Sequence, residues 1–353
     1  MKVLIIQKKM IGDVLASSIL FEALKAKYPD AVLHYVINSH TFPVVEHNPY
    51  IDKLVFFTPE MKHNKGPLWH FIKSIRKEQY DVVVDVYSKP LSILMTLFSG
   101  AKTRISKYKY YTYFIYNHPI IYANKARTNA SLAIENRLKL LEPLGIEGTI
   151  IKPKIYLTQE EIEVSNAFLK QYHLNLSKPL FMISVLGSDP NKTYPFPYMA
   201  EVIDTIVAQT QGQVLFNYIP KQINEAKAIY DLCKKETQNQ IYFDVYGENL
   251  RMFLAITKHC TALIGNEGGA VNMAKALDIP TFTIFSPGLS KENWNMFEDG
   301  KNHVSVHLQD YINYSKNTLD DAKKNPQPYY LKFKPEYIIP TLTVFLKAFP
   351  NGL

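Results

Sequence analysis

The sequence predicts an α/β protein made of two domains, each built on a parallel β-sheet with helices on both faces. Three observations predict this fold. Short apolar runs alternate with amphipathic stretches over residues 3–144 and again over residues 180–285, the pattern of strands and helices in a parallel sheet. A polar segment bounded by Pro153 and Pro179 separates the two runs,. A chain of 353 residues also exceeds what one ordinary hydrophobic core supports,.

In the first run the predicted strands are short and apolar, and the predicted helices carry an apolar stripe. The strands are Val3–Ile6, Val32–Ile37, Lys53–Phe57, Asp81–Val86 and the short Arg104–Ser106, and the helices are Val14–Tyr28, Leu68–Glu78, Pro90–Phe98 and Ser131–Leu144. Asp13 stands where the cap of the first helix belongs, and it also follows the first strand, where open α/β sheets bind ligands. Gly145 is expected to end the last helix.

The linker Lys152–Lys178 contains a predicted helix, Gln159–Gln171, and the strand–helix alternation restarts after it,. The strands are Leu180–Val185, Val214–Phe216, Ile241–Phe243, Ala262–Ile264 and Thr281–Phe285, and the helices are Pro197–Ala208, Gln222–Lys235, Asn249–Lys258, one beginning at Ala270, and 336–349. We therefore expect two Rossmann-like domains that face each other across a cleft. Residues 1–160 would form the N-terminal domain and residues 175–335 the C-terminal domain.

The composition, 47% hydrophobic and 20% charged, is that of a globular protein, and no apolar run is long enough to span a bilayer,. At the N-terminus only four apolar residues, Val3–Ile6, precede the next polar residues, which indicates a first strand and not a signal peptide,. The two cysteines exclude a disulfide framework and a CxxC metal site,. We expect a cytoplasmic protein.

The net charge of +8 arises entirely within residues 1–150, which hold 20 basic and 12 acidic residues. This imbalance favours acidic partners such as nucleic acid, anionic lipid or a phosphorylated substrate, although solubility alone would also explain it. Within it, Lys107–Tyr116 mixes bases and aromatic rings. Such a segment could stack on sugars or bases, lie at a membrane interface, or form a half-buried loop. The absence of an RNP1 motif disfavours RNA binding.

The stretch from Ala262 to Pro280 combines a strand, a glycine-rich turn and a helix. The free amides and the dipole of such a helix favour phosphate, and Glu267 beside the turn could accept hydrogen bonds from ribose hydroxyls. Equally, Gly268-Gly269 could be only a tight connection and Glu267 a carboxylate at the helix start. A nicotinamide oxidoreductase is disfavoured, because the residues after the first strand lack GxGxxG,.

Three motifs, in this order over essentially the whole chain, resemble the heptosyltransferase family, glycosyltransferase family 9 of the GT-B type. The first is Gly12-Asp13 after the first strand, and the second is Lys192-Thr193-Tyr194-Pro195. The third is Glu267-Gly268-Gly269-Ala270-Val271-Asn272, followed by Ala274-Lys275-Ala276 and Pro280. The resemblance implies a bilobed enzyme with the acceptor in the N-terminal lobe and the sugar nucleotide in the C-terminal lobe. It also implies that a C-terminal helix within residues 336–353 returns to the N-terminal domain.

The activity implied is inverting, metal-independent transfer of a sugar, typically heptose from an ADP-activated donor, onto a lipopolysaccharide inner-core or other lipid-linked acceptor. The resemblance implies Asp13 as the base and Lys192 as the cation that stabilises the leaving diphosphate, although Lys192 could also be a solvated loop lysine. The implied donor-binding residues are Gly187, Ser188, Lys192, Gln222, Glu267, Gly268, Gly269 and Asn272, and the acceptor-binding residues are Lys9, Gly12, Arg104 and Lys107. No metal ligand, cofactor or nucleic-acid partner is expected, and peripheral contact with the inner membrane is expected.

Three departures from the family pattern concern the donor side. Asn272 stands where the family usually has His, Glu267 replaces Asp, and Gln222 replaces the acid of the nucleoside turn. Asn can hydrogen-bond a phosphate but adds no positive charge. An alternative is therefore a catalytically weakened nucleotide-sugar-binding protein of the same fold, and the donor could also differ.

Overall fold

The computed structural model describes residues 1–349, which divide into two compact units. The first unit ends at Tyr156, inside the predicted linker, and the second begins at Leu157. Each unit contains one parallel sheet, as the sequence predicts. None of the helices within residues 1–349 is long and apolar enough to cross a membrane.

The sheet of the first unit has six parallel strands in the spatial order β3-β2-β1-β4-β5-β6. The strands are β1 (Lys2–Ile6), β2 (Val32–Asn38), β3 (Lys53–Phe57), β4 (Val82–Asp85), β5 (Thr103–Lys107) and β6 (His118–Ile120). Ile6 lies opposite Val36 on one side and Asp85 on the other. The order reverses between β1 and β4, the point at which open α/β sheets bind ligands beyond the carboxyl ends of their strands.

Helices cover this sheet and bury apolar residues such as Leu4, Phe71 and Val83 against it. They are α1 (Ile11–Ser17), α2 (Ile19–Lys27), α3 (Pro59–His63), α4 (Lys65–Lys77), α5 (Pro90–Phe98) and α6 (Leu132–Leu138), with 3-10 helices at Ser39–Val44 and Lys139–Leu144. The prediction of a continuous helix over Val14–Tyr28 is wrong, because α1 and α2 meet at Ser18. The Ser18 hydroxyl donates to the Leu15 carbonyl at 2.7 Å, an alternative to continuing the helix,.

The predicted helix Ser131–Leu144 is helical from Leu132 onward but changes type. Its second half is a 3-10 helix that contains Pro143, and proline cannot donate the hydrogen bond that an α-helix would need there. Gly145 ends it at φ 69°, as predicted,.

The sheet of the second unit has five parallel strands in the order β11-β10-β9-β7-β8, and its order reverses between β7 and β9,. The strands are β7 (Leu180–Ser184), β8 (Gln213–Phe216), β9 (Ala262–Asn266), β10 (Thr281–Ile284) and β11 (His303–Val306). The prediction of a strand over Ile241–Phe243 is wrong. Ile241 makes one isolated bridge to Val214, and the chain then turns, with the Val245 amide donating to the Tyr242 carbonyl at 3.1 Å.

The helices of the second unit pack on both faces of its sheet. They are α7 (Gln159–Gln171), α8 (Phe196–Thr210), α9 (Ile223–Leu232), α10 (Lys235–Gln238), α11 (Leu250–Lys258), α12 (Gly269–Ala276), α13 (Lys291–Trp294), α14 (Lys316–Lys324), α15 (Gln327–Lys332) and α16 (Pro335–Leu346), with 3-10 helices at Pro190–Lys192, Pro220–Gln222 and Leu308–Asp310. The other predicted elements of both units lie within three residues of the observed bounds.

The last helix, α16, is grouped with the second unit, whereas the sequence led us to expect it on the N-terminal domain. Ile338, Leu342 and Phe345 belong to the core of the second unit, and the Phe345 ring lies 5.6 Å from the Phe282 ring of β10. An apolar stripe shows that a helix is buried but not which surface buries it. Residues 350–353 of the predicted C-terminal segment lie outside the described residues.

Candidate functional site

The first unit places Asp13 beside the carboxyl end of β1, as predicted, but not at the helix cap. Helix α1 begins at Ile11 with Met10 as its N-cap, so Gly12 and Asp13 are its second and third residues. The prediction that Asp13 caps the helix is therefore wrong. A carboxylate in the first turn still interacts favourably with the helix dipole.

Asp13 forms an ion pair with Arg137 of α6. Arg137 Nη2 lies 2.6 Å from Asp13 Oδ1, its Nε donates to Ser17 Oγ at 3.0 Å, and its Nη1 donates to the Ala133 carbonyl at 2.8 Å. The Arg137 side chain is 11% exposed and the Asp13 side chain 28%. Contacts with residues of both α1 and α6 thus hold the guanidinium in place, and the guanidinium in turn orients the Asp13 carboxylate. Sequence reasoning missed Arg137, because it lies 124 positions from Asp13 and no local motif joins them.

Lys8 is enclosed at this end of the sheet, next to Lys9, which is predicted to bind the acceptor. Lys8 is 6% exposed, and its Nζ lies 3.8 Å from the Phe57 ring centroid and 5.8 Å from that of Tyr87. Burial, followed by the positive charges of Lys9 and Lys62, lowers the pKa of Lys8 to about 8,. Lys9 itself is exposed.

Asp85 ends β4 next to β1 and is fully buried. Its Oδ2 accepts from the Tyr116 hydroxyl at 2.7 Å, and its Oδ1 accepts from the Ser88 amide at 2.7 Å. Burial raises the pKa of Asp85 to about 6, although both hydrogen bonds oppose the shift,. The neighbouring Tyr87 also has a raised pKa, caused by burial first and then by the charges of Asp13 and Asp85.

The other predicted acceptor-binding residues lie on β5. Arg104 Nε is buried and has no hydrogen-bond partner among residues 1–349. Lys107 is exposed at the end of the strand, with its Nζ 5.0 Å from the Tyr122 ring centroid. In the segment that follows, Tyr110 and Phe114 are 78% and 71% exposed, whereas Tyr116 is buried. Most of its rings therefore lie in solvent.

In the second unit, Asn266 joins the two strands at the point where the sheet order reverses. Asn266 is buried at the end of β9, and its Nδ2 donates to the carbonyls of Ser184 and Val185, each at 3.0 Å. Its Oδ1 accepts from the Tyr194 amide at 2.8 Å. One side chain thus holds together the end of β7, the Lys192–Pro195 loop and the start of the glycine turn. Sequence reasoning did not single out Asn266.

The glycine turn leaves open space at the start of α12. Gly268 is the N-cap, with φ 155° and ψ −164°, a conformation that essentially only glycine adopts,. A Cβ at Gly268 would meet no atom within 4 Å, and one at Gly269 would meet only Met273 Cε at 3.9 Å. Asn272 lies one turn further, partly exposed, and its amide bonds the Gly268 carbonyl at 3.3 Å. The amides ahead of Asn272 point out of the helix, as in an anion site.

Glu267 and Lys192 lie close enough to interact. Burial raises the pKa of Glu267, the charge of Lys192 lowers it, and Asp189 raises it further. Glu267 Oε1 is buried without a hydrogen-bond partner among residues 1–349. Lys192 ends the 3-10 helix Pro190–Lys192 and is partly exposed. The charge of Lys192 therefore acts on Glu267, although the two residues come from separate motifs.

Gln222 and Gly187 contact each other. Gln222 Nε2 donates to the Gly187 carbonyl at 2.9 Å, and the Gly187 amide donates to Thr193 Oγ1 at 3.1 Å. A Cβ at Gly187 would lie 2.2 Å from the Lys192 carbonyl oxygen, so only glycine allows the loop to close,. Beside this loop opens a cavity of about 510 Å³ whose lining includes Ser188, Lys221 and Gln222.

The family model of glycosyltransferase family 9 (heptosyltransferase) matches residues 68–323. The chain belongs to this family. It is 23% identical to lipopolysaccharide heptosyltransferase 1 of Campylobacter coli, over 86% of this chain and 89% of the relative. It is 21% identical to lipopolysaccharide heptosyltransferase 2 of Escherichia coli K12, over 98% of this chain and 99% of the relative.

Solved structures of this family have the same fold. A family 9 glycosyltransferase from Veillonella parvula aligns with a TM-score of 0.82 at 16% identity, over 98% of this chain and 97% of its own. The ADP-heptose lipopolysaccharide heptosyltransferase II of E. coli aligns with a TM-score of 0.73 at 18% identity, over 99% of both chains. E. coli heptosyltransferase WaaC with ADP-2-deoxy-2-fluoro heptose aligns at 0.63 and 14% identity, over 94% and 99%. The predicted α/β fold of the GT-B type is confirmed, and this family 9 chain is a glycosyltransferase.

Among residues 1–349 of this family 9 glycosyltransferase, no group of three or more His, Cys, Asp and Glu residues is arranged to hold a metal ion. The glycine turn supplies backbone amides and the carboxylate of Glu267, and the 3-10 helix Pro190–Lys192 supplies the lysine. Backbone amides and a lysine are suited to stabilising a diphosphate.

Proposed function

We propose that this enzyme transfers a heptose from an ADP-activated donor to a lipopolysaccharide inner-core acceptor, with inversion at the anomeric carbon and without a metal ion. The relatives named as lipopolysaccharide heptosyltransferases support the acceptor class. The WaaC structure with an ADP-heptose analogue supports the donor class, since this chain shares its fold. The departures at Glu267, Gln222 and Asn272 concern residues around the donor, so the donor is the part that experiment must establish.

The observation that carries the proposal is the open space over Gly268 at the start of α12, with Lys192 nearby. A diphosphate in that space would accept hydrogen bonds from the first amides of α12 and would gain from the helix dipole. Lys192 would neutralise the charge that develops on the leaving ADP, and such stabilisation is usually the largest catalytic contribution. Glu267, whose Oε1 has no hydrogen-bond partner among residues 1–349, would accept from the ribose hydroxyls.

Asp13 is the proposed base. Arg137 binds its Oδ1 and so sets the direction in which the carboxylate faces the acceptor. As the acceptor oxygen attacks the anomeric carbon, its proton passes to Asp13. The new carbon–oxygen bond forms on the face opposite the departing ADP oxygen, so the configuration inverts. The proposal requires that an acceptor bound at Asp13 reach a donor bound at α12.

We also propose that the acceptor-binding unit makes peripheral contact with the inner membrane. The exposed rings of the segment from Tyr108 to Phe114 stand beside Lys107 and Lys109. Aromatic rings with lysines suit the interface of an anionic bilayer. Sedimentation with phosphatidylglycerol vesicles, compared with phosphatidylcholine vesicles, tests this contact, and a Phe114→Ala variant should sediment less.

The catalytically weakened binding protein remains a second candidate because of Asn272, which adds no charge in the first turn of α12,. The deciding experiment is incubation of the enzyme with ADP-heptose and heptose-free inner-core lipopolysaccharide, in buffer containing a chelator. The proposal predicts a glycosylated product whose anomeric configuration, read by NMR, is opposite to that of the donor. Binding of ADP-heptose by calorimetry without any product would favour the second candidate.

A further inference from the structure

Lys8 is a nearly buried cation without an anionic partner. It lies two residues after the end of β1, at the reversal point of the first sheet, and only 6% of the residue is exposed. Among residues 1–349, its Nζ makes no ion pair and no hydrogen bond, and its contacts are with two aromatic rings. The Nζ itself is not fully buried, so a partner from outside the chain can reach it, and an anion would offset the cost of enclosing the ammonium between aromatic rings.

The aromatic rings hold the ammonium in place but do not replace an anion. Phe57 ends β3 on one side of β1 and Tyr87 follows β4 on the other side, so both rings restrict the Lys8 side chain. A cation–π contact offsets only part of the free energy that the ammonium loses when burial removes its water. Lys9 and Lys62 add positive charge nearby. The local potential therefore favours a bound anion.

Lys8 and Asp13 share Tyr87 as a neighbour. The Tyr87 ring lies 5.8 Å from Lys8 Nζ, and the charge of Asp13 acts on the Tyr87 hydroxyl. The Asp13 carboxylate is paired with Arg137, so Lys8 is not needed to balance it. The cation thus remains available beside the proposed base.

We infer that Lys8 binds an acid group of the sugar acceptor, a carboxylate or a phosphate, next to the hydroxyl that is glycosylated. The inference rests on the proposed function in one respect, the acceptor-side role of Asp13. A cation that packing has already ordered binds an anion with little further loss of side-chain entropy. Lys9, the other predicted acceptor-binding lysine of this loop, is exposed and contributes a longer-range attraction,.

The test is calorimetric titration of the full-length enzyme with glucuronate, glucose 6-phosphate and uncharged glucose. Lys8→Met keeps the aliphatic packing on Phe57 and removes the charge, Lys8→Arg keeps the charge, and Lys73→Gln on the exposed face of α4 is the control. We expect at least one anionic probe to bind and glucose not to bind. Because a charge-assisted contact is lost, Lys8→Met should weaken that binding by about tenfold or more. Lys8→Arg should retain it, and Lys73→Gln should match the wild type.

A purely structural lysine would behave differently. Since Lys8→Met removes an unpaired and partly desolvated charge, its melting temperature should equal or exceed that of the wild type. A lower melting temperature with unchanged anion binding would overturn the inference, as would equal binding of glucose or no anion binding by the wild type. If Lys8→Met fails to fold, Lys8→Gln is titrated in its place. The probe that binds more tightly indicates whether the acceptor's acid is a carboxylate or a phosphate.

The outcome separates this inference from the proposed function. Unchanged anion binding in Lys8→Met, with transfer lost in Asp13→Asn, would overturn the inference alone. Anion binding lost in Lys8→Met, with transfer intact in Asp13→Asn, would overturn the proposed base alone.

Discussion

Arg137 Nη2 lies 2.6 Å from Asp13 Oδ1, and both other donor groups of this guanidinium are bound within the same unit. The ion pair joins α1 to α6 across 124 positions of sequence. It gives the proposed base a fixed direction before any substrate arrives. Preorganised groups of this kind contribute to catalysis because they need no rearrangement in the transition state.

Arg137→Met tests the positioning role of this arginine. The variant keeps an apolar stem but leaves Asp13 free to rotate, and we expect kcat to fall by about tenfold to a hundredfold with little change in the KM for donor. Steady-state kinetics at varied donor concentration measures both constants. Arg76→Gln, on the exposed face of α4, is the matched control. A rise in donor KM with unchanged kcat would argue against a positioning role.

Gly268→Ala tests the glycine turn at α12. A Cβ there meets no neighbour, so the cost comes from the backbone conformation alone, about 1–3 kcal/mol,. We expect weaker ADP binding in calorimetry and a lower unfolding free energy. Gly66→Ala, in α4 and with equally open space, should leave both unchanged or slightly raise stability,. ADP affinity that survives Gly268→Ala would remove the proposed phosphate site.

Asn266→Asp tests the clamp between β7, β9 and the Lys192 loop. The substitution replaces the donating Nδ2 by an oxygen that faces the carbonyls of Ser184 and Val185. Two buried hydrogen bonds are lost and a charge is added, so the unfolding free energy should fall by about 2–4 kcal/mol at pH 7. Urea denaturation measures this change. Asn175→Asp, on the surface, is the control.

Asp85 gives the first unit a defined pH dependence. Burial raises its pKa from 3.8 to about 6, so between these pH values the folded state binds more protons than the unfolded state,. Stability attributable to Asp85 is therefore full below pH 4 and is lost as pH rises through about 6, a difference of about 3 kcal/mol,. Urea unfolding of wild type and Asp85→Asn at pH 4.5 and 7 checks this. The variant should lack this contribution to the fall between the two pH values, and an identical fall in both proteins would contradict the assignment.

The helices and strands could be predicted from the sequence where each had a clear local pattern of apolar residues. Buried runs such as Leu180–Ser184 contain only residues that fit a covered parallel strand, and β7 is confirmed,. The sequence does not predict the strands His118–Ile120 and His303–Val306. With three or four residues each, including histidine or proline, these segments are too short and too polar to show the hydrophobic periodicity of a strand,. The break at Ser18, where the hydroxyl donates to the Leu15 carbonyl, does not interrupt the stripe of apolar residues, so the stripe does not reveal it.

Residues of the candidate site could be predicted from the sequence only where they belong to a recognisable motif. Gly268 and Lys192 stood in motifs, and the structure brings Lys192 near Glu267. Arg137 contacts Asp13 across 124 positions of sequence, and Asn266 contacts Tyr194 across 72 positions. Such contacts form only in the folded domain, so no local motif predicts them. Lys8 and Lys9 are adjacent in sequence, and only burial distinguishes the enclosed lysine from the exposed one.

The central claim is that a carboxylate of the first unit and a phosphate site of the second serve one sugar transfer. Single-turnover transfer from saturating ADP-heptose to inner-core lipopolysaccharide, by wild type, Asp13→Asn and Lys192→Met, tests it most directly. We predict that both variants slow the chemical step by about a hundredfold or more, with Asp13→Asn still binding ADP as the wild type does. Transfer at the wild-type rate by either variant would contradict the mechanism.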